Sequence, residues 1–412
     1  MMRLFSILPL IAVGLLLGCR PTPQPPTPET PPDVPVADLK ALSEGNTAFA
    51  VDLFKRLAQK PGNVVVSPYS ISSALAMTYA GARGRTADEM KKTLHFTLPD
   101  DALHPAFGGV SESFRTAGKN RPYELNIANA LWPQRGMTLE PPFLDITGKS
   151  YGAGVREVDF GQSEAARATI NKWVEEQTKE KIKELLKPGD IFPNVRLVLT
   201  NAVYFQGNWK EQFEKSMTHD QDFEIAPGQM VKVPMMHLRE AKSRVAATPD
   251  FHLHELPYEG DRWRMIFLLP ELRNGLREVE AKLTARQLTD AIADLKPDKA
   301  SVFVPRFKFR QHCKLRDELA KLGMPTAFRD GEADFSGMTR QAGLHIDNVI
   351  HDACIELDEK GTVAAAATAV VMGKVSAKIS HYPFHLDQPF LFILRDDLTD
   401  TILFVGRVAD PR

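Results

Sequence analysis

Cysteine is nearly absent: the 412 residues contain three, Cys19, Cys313 and Cys354. So few thiols exclude a disulfide framework and leave packing to hold the fold. An excess of either charge is also missing, with 51 Lys plus Arg against 52 Asp plus Glu. That balance removes the electrostatic footprint of a nucleic-acid binder. The common enzyme signatures are absent as well: there is no GxSxG elbow, no HExxH, no GxxxxGK[ST] and no CxxC pair. His252 and His254 stand at strand spacing, and His254-Glu255 opens a zincin-like string that Leu256-Pro257-Tyr258 does not complete. Both are expected to be surface histidines. Cys313 and Cys354 are expected to be free, buried thiols, or a pair if the fold brings them close. Met235, Met236 and the tryptophans are expected to pack in the core. No catalytic group, metal or cofactor is expected.

What is present has an ordinary globular composition, 43% hydrophobic and 25% charged, long enough for one large domain or two. Residues 1–18 carry an early cation, Arg3, and an apolar run too short for a mature membrane span, the pattern of a secretory signal. Leu16-Leu17-Gly18-Cys19 resembles the lipobox of bacterial lipoproteins, in which the cysteine is lipidated and becomes the new N-terminus. The alternative is a plain secretory signal with an incidental cysteine. Arg20 is not the aspartate that in enteric bacteria favours inner-membrane retention, so outer-membrane or cell-surface anchoring is expected, otherwise extracellular or periplasmic release. Residues 19–37 form a linker, in which 20–36 contain eight prolines. Such a segment is an extended spacer, or alternatively a ligand for a peptide-binding module. The folded domain is expected over 38–412.

Within that domain, ALSEGNTAFAVDLFKRLAQ has helical spacing, and ISSALAMTYAGARGRTADEMKKTL predicts two more helices after a Ser-Pro start. INKWVEEQTKEKIKELL predicts a helix ended by Pro188 and Gly189, followed by the β-branched strand VRLVLTNAVYF. RWRMIFLLP, ASVFVPRFKF, NVIHDACIELDE, PFLFILRD and TILFVGRVADP predict strands. Early helices and late strands point to an α+β architecture.

Several strings, in order along the chain, resemble the serpins: NVVVSPYSISSALAMTYAGARGRTADEM, LVLTNAVYFQGNWKEQFEK, VPMMHL, Leu322-Gly323-Met324 with ADFSGM after it, NVIHDACIELDEKGT and QPFLFILRDDLTDTILFVGRVADP. The resemblance covers about residues 38 to 412. It implies three β-sheets, eight or nine α-helices and an exposed reactive-centre loop near the C-terminus that baits a protease and enters the main sheet once cut. DEKGTVAAAATAVVMGKVS, residues 358 to 376, suits both states. Its alternative reading is a helix or a low-complexity loop. The resemblance places the loop hinge at Glu359, Gly361, Thr362, Val363, Ala364, Ala365 and Ala366. Glycine relieves steric limits on the swing, and residues 360 through 382 contain no proline to interrupt a central strand. If Thr362 faces the core on insertion, strand alternation turns Ala364, Ala366, Thr368, Val370 and Met372 inward too. Val363 departs from the family's usual glutamate, on the outward side.

Counting from Glu359 as the family does places the reactive bond at Val375-Ser376, with Lys374 as the alternative. Val375 suits elastase-like or subtilisin-like proteases, Lys374 trypsin-like ones. The resemblance also implies a polar shutter beneath the sheet at Ser67, Ser70, Asn201 and His351, and a breach residue at Trp209. The plain alternative for the four polar residues is unrelated caps and strand positions. The resemblance thus implies a monomeric suicide inhibitor of serine proteases without catalytic activity of its own. The alternatives are a non-inhibitory chaperone, carrier or binding module, and an enzyme. Around Arg115, Lys119 and Arg121 the positive charge is too sparse to predict strong heparin activation. Changing Cys19→Ala is expected to move the protein from the membrane to the soluble fraction; unchanged fractionation would contradict the anchor.

Overall fold

The computed structural model describes residues 33–116, 122–152, 155–362 and 383–412. Along the first half run α1 (Val36–Leu57), β1 (Val64–Val66), α2 (Pro68–Tyr79), α3 (Gly84–Thr93), α4 (Asp100–Thr116), β2 (Tyr123–Pro133), α5 (Pro141–Tyr151), α6 (Ser163–Gln177) and β3 (Leu197–Asn208). There follow β4 (His219–Ala226), β5 (Gln229–Ala247), β6 (Phe251–Pro257), β7 (Trp263–Pro270), α7 (Leu276–Lys282), α8 (Ala285–Ala293), β8 (Lys296–Pro305) and β9 (Phe307–Lys314). The chain closes with α9 (Arg316–Leu322), β10 (Asn348–Leu357), β11 (Gly361–Thr362), β12 (Phe384–His385), β13 (Phe390–Asp396) and β14 (Ile402–Val408). The α+β class and the helix count are those expected. Among the described residues no helix is long and apolar enough to cross a membrane.

A five-stranded sheet has the order β2-β3-β11-β10-β9. The remaining strands form one hydrogen-bonded network, β1-β14-β13-β7-β6-β5-β8-β12, with β4 paired to β5. The 19-residue β5 runs through both halves of this network, with a register break against β8 between Leu238 and Ala241. Three sheets in the expected sense are therefore two networks, because one long strand belongs to two of them. The main core lies between the sheets, with α2 at its centre. Every residue of α2 is buried, and Pro68 stands at its first turn, where a missing N–H costs nothing.

A second, smaller core lies on the other face of the five-stranded sheet. Ala166, Ile170 and Val174 of α6 meet Ala128 and Trp132 of β2, Ala202 of β3 and Ile350 of β10. The segment after α6 completes it with Ile182, Leu185 and Leu186. Here the expected helix through Leu186 is corrected: α6 stops at Gln177, and Lys179, Glu180 and Glu184 have φ of 48°, 62° and 52°. Helix propensity favours Glu and Lys, but burial of the three apolar side chains decides the path. Asn171 pins the turn, donating to Leu186 O at 2.8 Å and accepting from Leu186 N at 2.7 Å. Asp352, fully buried on β10, takes both ends of the Arg310 fork at 2.7 and 2.9 Å, and the same guanidinium donates to Lys183 O at 2.7 Å.

Cys313 and Cys354 are both free; Cys313 is buried and Cys354 partly so. Burial pushes the Cys313 thiol up to about 11, which makes it inert at neutral pH. Met235 and Met236 are fully buried, as expected. His252 is partly exposed, but His254 corrects the expectation of a surface histidine: it is 1% exposed, because Phe384 of β12 stacks over its ring.

Candidate functional site

The parallel strands β3 and β10 are directly paired only from Asn348↔Val198 to Ala353↔Val203. Beyond that point they part, and β11 enters between them, antiparallel to both. Thr362 is opposite Leu357 on one side and Gly207 on the other.

The hairpin that delivers β11 is built by Asp358. Its carboxylate accepts from Lys360 N at 2.9 Å and Gly361 N at 3.1 Å, and Asp358 N donates to Gly361 O at 2.8 Å. Only glycine fits at 361: φ is 154°, and a Cβ would lie 1.9 Å from Gly207 O. Trp209 holds the turn from the β3 side, its Nε1 donating to Asp358 O at 3.0 Å and its backbone N to Lys360 O at 2.7 Å. The indole stacks on Tyr258 at 4.5 Å, and the Tyr258 hydroxyl lies 2.6 Å from Thr362 Oγ1. Burial pushes that phenol far above its usual range, so it stays a neutral partner. Glu359 is buried as well. Its carboxylate accepts from the Thr218 hydroxyl at 2.9 Å and lies 3.8 Å from Arg306, while its carbonyl accepts from Phe213 N at 2.9 Å. Tyr258, Thr218, Phe213 and Arg306 were not legible as site residues, since each lies far along the chain without a local motif.

Beneath the paired part of the seam lies a polar cluster. Register places Asn129 of β2, Asn201 of β3 and His351 of β10 side by side. Ser70 Oγ donates to Asn129 Oδ1 at 3.1 Å, and Asn129 Nδ2 donates to Ser70 O at 3.1 Å. Asn201 Nδ2 reaches Ser70 Oγ at 2.5 Å and also bonds Asn129 Oδ1. His351 Nε2 accepts from Ser67 N at 3.2 Å, so the other nitrogen, Nδ1, carries the proton that bonds Asn201 Oδ1. The four expected residues thus do converge, all fully buried. Ser67 joins through its backbone; its hydroxyl has no partner and makes no cap bond. Asn129 is the member that sequence reading missed. No group of side chains suited to a metal occurs among the described residues.

Cys19, Val363, Ala364, Ala365, Ala366, Lys374, Val375 and Ser376 lie outside the described residues.

Comparison with known proteins fits this geometry. The family profile described as Serpin (serine protease inhibitor) matches residues 44–411. A serpin-like protein of Thermococcus kodakarensis is 39% identical over 422 residues, covering 98% of this chain and 97% of its own. The leukocyte elastase inhibitor of Homo sapiens is 37% identical over 384 residues, 90% of this chain and all of the relative (100%). Among solved structures, Serpin48 of the insect Tenebrio molitor superposes with a TM-score of 0.80 at 31% identity, covering 90% of this chain and 99% of that one. Human thyroxine-binding globulin in complex with its hormone superposes with a TM-score of 0.81, also at 31% identity, over 91% of this chain and 99% of that one.

The cluster makes stability depend on pH. Burial lowers His351 from 6.5 to about 4, so between those values the unfolded chain binds more protons than the native one. Stability is full above about pH 6.5 and is lost as pH falls towards 4. For His351 the loss between pH 7 and pH 5 is about 2 kcal/mol. Urea unfolding should show it, and His351→Gln should flatten the dependence by about that amount; an equal pH slope in wild type and variant would contradict the assignment.

Proposed function

The chain belongs to the serpin family, and from that membership we propose that it is a suicide-substrate inhibitor of serine endopeptidases, with cysteine endopeptidases open to the same chemistry. The observation that carries the reading is β11: the hinge already lies between β3 and β10, with Thr362 buried and paired on both sides.

In this reading the protease's nucleophile attacks the Val375 carbonyl. An ester, or a thioester with a cysteine enzyme, forms at that carbon. The Val375-Ser376 peptide bond breaks, and the released Ser376 amine takes up the proton that the nucleophile gave to the protease's base. The protein supplies no catalytic group. Its contribution is the open seam, into which the freed segment extends β11 and carries the tethered protease away before the acyl bond hydrolyses. About fifteen inserted residues, with net gains of about 0.5–1.5 kcal/mol per backbone bond, supply on the order of 10 kcal/mol. A whole protein's stability is about 5–15 kcal/mol, so distortion of the captured enzyme is within reach.

Val375 selects elastase-like or subtilisin-like targets, and the likeness to a relative named for elastase inhibition supports that choice. Cleavage after Lys374 would instead select trypsin-like enzymes. The lipobox-like string and the Pro-rich linker support a domain held outside the cell and anchored through Cys19. The alternative, a non-inhibitory chaperone, carrier or binding module, takes its support from the likeness to thyroxine-binding globulin.

Incubation with a panel of elastase-, subtilisin- and trypsin-like proteases should give an SDS-stable complex with at least one. Thr362→Arg should convert the inhibitor into a substrate, because the guanidinium has no partner beside Tyr258 and a buried unpaired charge is costly. Complex yield is expected to fall at least tenfold while cleavage continues. A variant that traps protease like the wild type would contradict the inward position of Thr362, and a wild type that is only cut would favour the non-inhibitory alternative.

A further inference from the structure

The chain leaves the reactive segment through β12, which is held by a short ladder: Phe384↔Val302 and His385↔Phe303, both to β8. Past the ladder Leu386 N donates to Phe303 O at 3.0 Å and Asp387 O accepts from Glu224 N at 2.8 Å, while the side chains of β12 are held by ring stacking that involves three histidines. Phe384 lies on His254 of β6, centroids 4.6 Å apart at 22°. His385 lies 4.7 Å from Phe303, whose other neighbour is His237 of β5, at 4.1 Å and 7°. His237 has a partner, Ser301 Oγ at 2.8 Å. The Nε2 atoms of His254 and His385 are buried without one.

We propose that His254, with His385 and His237 beside it, makes β12 an acid-released clasp on the C-terminal end of the reactive segment.

Geometry sets the direction. His254 is 1% exposed, and its cross-strand neighbours, Val245 on β5 and Phe267 on β7, offer no charge. The charged groups near it line a cavity of about 560 Å³ that Phe384 also borders: Asp294, Lys296 and Asp298. His252 on its own strand is engaged with Glu271. Around His385 stand Asp387 and Arg273, which pair with each other, and near His237 stands Arg239. Burial holds His254 down to about 4, with Asp298 opposing. Burial also lowers His385, opposed by Asp387 and helped by Arg273, and lowers His237, helped by Arg239. Removing Phe384 from the His254 ring admits water and returns the imidazole towards its ordinary 6.5. The open form therefore binds more protons than the closed one between about pH 6.5 and 4, and acid favours opening. For His254 alone the shift between pH 7 and pH 5 is about twenty-fold in the opening equilibrium.

The consequence rests on the inhibitory reading. Both ends of the segment lie at one end of the sheet, since Phe303, paired with His385, is three residues from Arg306, which reaches Glu359. Residues 363 to 382 join them. Insertion through Val375 uses 363 to 375, about 43 Å at about 3.3 Å per residue. The seven residues left, 376 to 382, reach back about 25 Å at most. An uncut chain therefore cannot insert fully while β12 stays paired; opening that spreads from β12 through Asp387, whose carbonyl Glu224 N holds at 2.8 Å, frees 376 to 387, about 43 Å at most, and would let the chain insert without a protease and lose its activity.

The test is hydrogen exchange with mass spectrometry on the intact full chain, following the peptide over Phe384–Leu386 at pH 7 and pH 5 after correction for intrinsic rates. The wild type should open about twenty-fold more at pH 5. His254→Phe, which keeps a ring under Phe384 but cannot titrate, should open clearly less than the wild type at pH 5, the remaining response being that of His385 and His237. Phe384→Ala should be open at pH 7 and nearly indifferent to pH, which keeps the test decisive if the first variant does not fold. Equal protection of the wild type at both pH values, or an acid response in His254→Phe matching the wild type, would overturn the proposal. A parallel assay holds the wild type at pH 5, returns it to pH 7 and measures complex formation with elastase. A chain that forms no complex even before acid treatment refutes the inhibitory reading alone, and the exchange result still decides the clasp.

Discussion

The rest of the molecule is arranged around the seam between β3 and β10, where among the described residues the direct pairing stops at Ala353↔Val203 and only β11 stands between the strands beyond it. β3 and β10 are long and parallel, yet they pair directly over only part of their length and then diverge. Parallel strands with both faces covered normally complete their ladders. Here, among the described residues, only Gly361 and Thr362 of β11 stand between the upper parts of two central strands. An incomplete ladder inside a sheet is a reservoir of unformed interactions, and on the proposed inhibitory reading the features of the site keep that seam available to the segment that follows β11.

The two faces of the seam divide that work. Below it, a hydrogen-bonded row of Asn129, Asn201 and His351 takes the place of interlocking apolar side chains. Polar contacts of this kind fix one register strongly while formed, and they lend themselves to exchange when the strands separate. Above it, α6 and the segment after it lie across β2, β3 and β10, so the small second core bridges the strands that insertion, as proposed, would separate. The hinge is held by contacts of the same exchangeable sort: Glu359 to Thr218, Trp209 to the Asp358 carbonyl, Tyr258 to Thr362. The intact fold is closed by many modest bonds, and no single large one has to break at the start.

Much of this was legible in the sequence for a physical reason. A segment suited to both a loop and a central strand tolerates no proline and no inward charge, and 362 to 372 shows both restrictions in its composition. VRLVLTNAVYF and NVIHDACIELDE are β-branched runs that read as central strands, and they are β3 and β10. The polar residues of the cluster were found where a motif marked them, and Asn129 was missed because YELNIANALWP shows only a strand with three polar residues, Glu124, Asn126 and Asn129, none singled out by a motif. The packing partners of the hinge, Tyr258, Arg306 and Thr218, come from separate turns, and nothing local in the chain announces that they meet. His254 was misjudged for a related reason: a histidine in an alternating strand is read as solvent-facing, but β6 has neighbours on both sides and Phe384 above it. The continuation of α6 failed because TKEKIKELL satisfies helix propensity while its Ile and Leu residues are claimed by the second core.

The central claim is that the intact fold lies above a more stable, inserted one. The direct measurement is the melting temperature of the domain before and after a single cut by elastase, with mass spectrometry locating the cut. Breaking a backbone normally loosens a domain, but here insertion worth on the order of 10 kcal/mol, at about 2 °C per kcal/mol in a domain of this size, predicts a rise of about 20 °C. A cut confirmed after Val375 with an unchanged or lower melting temperature would contradict the account.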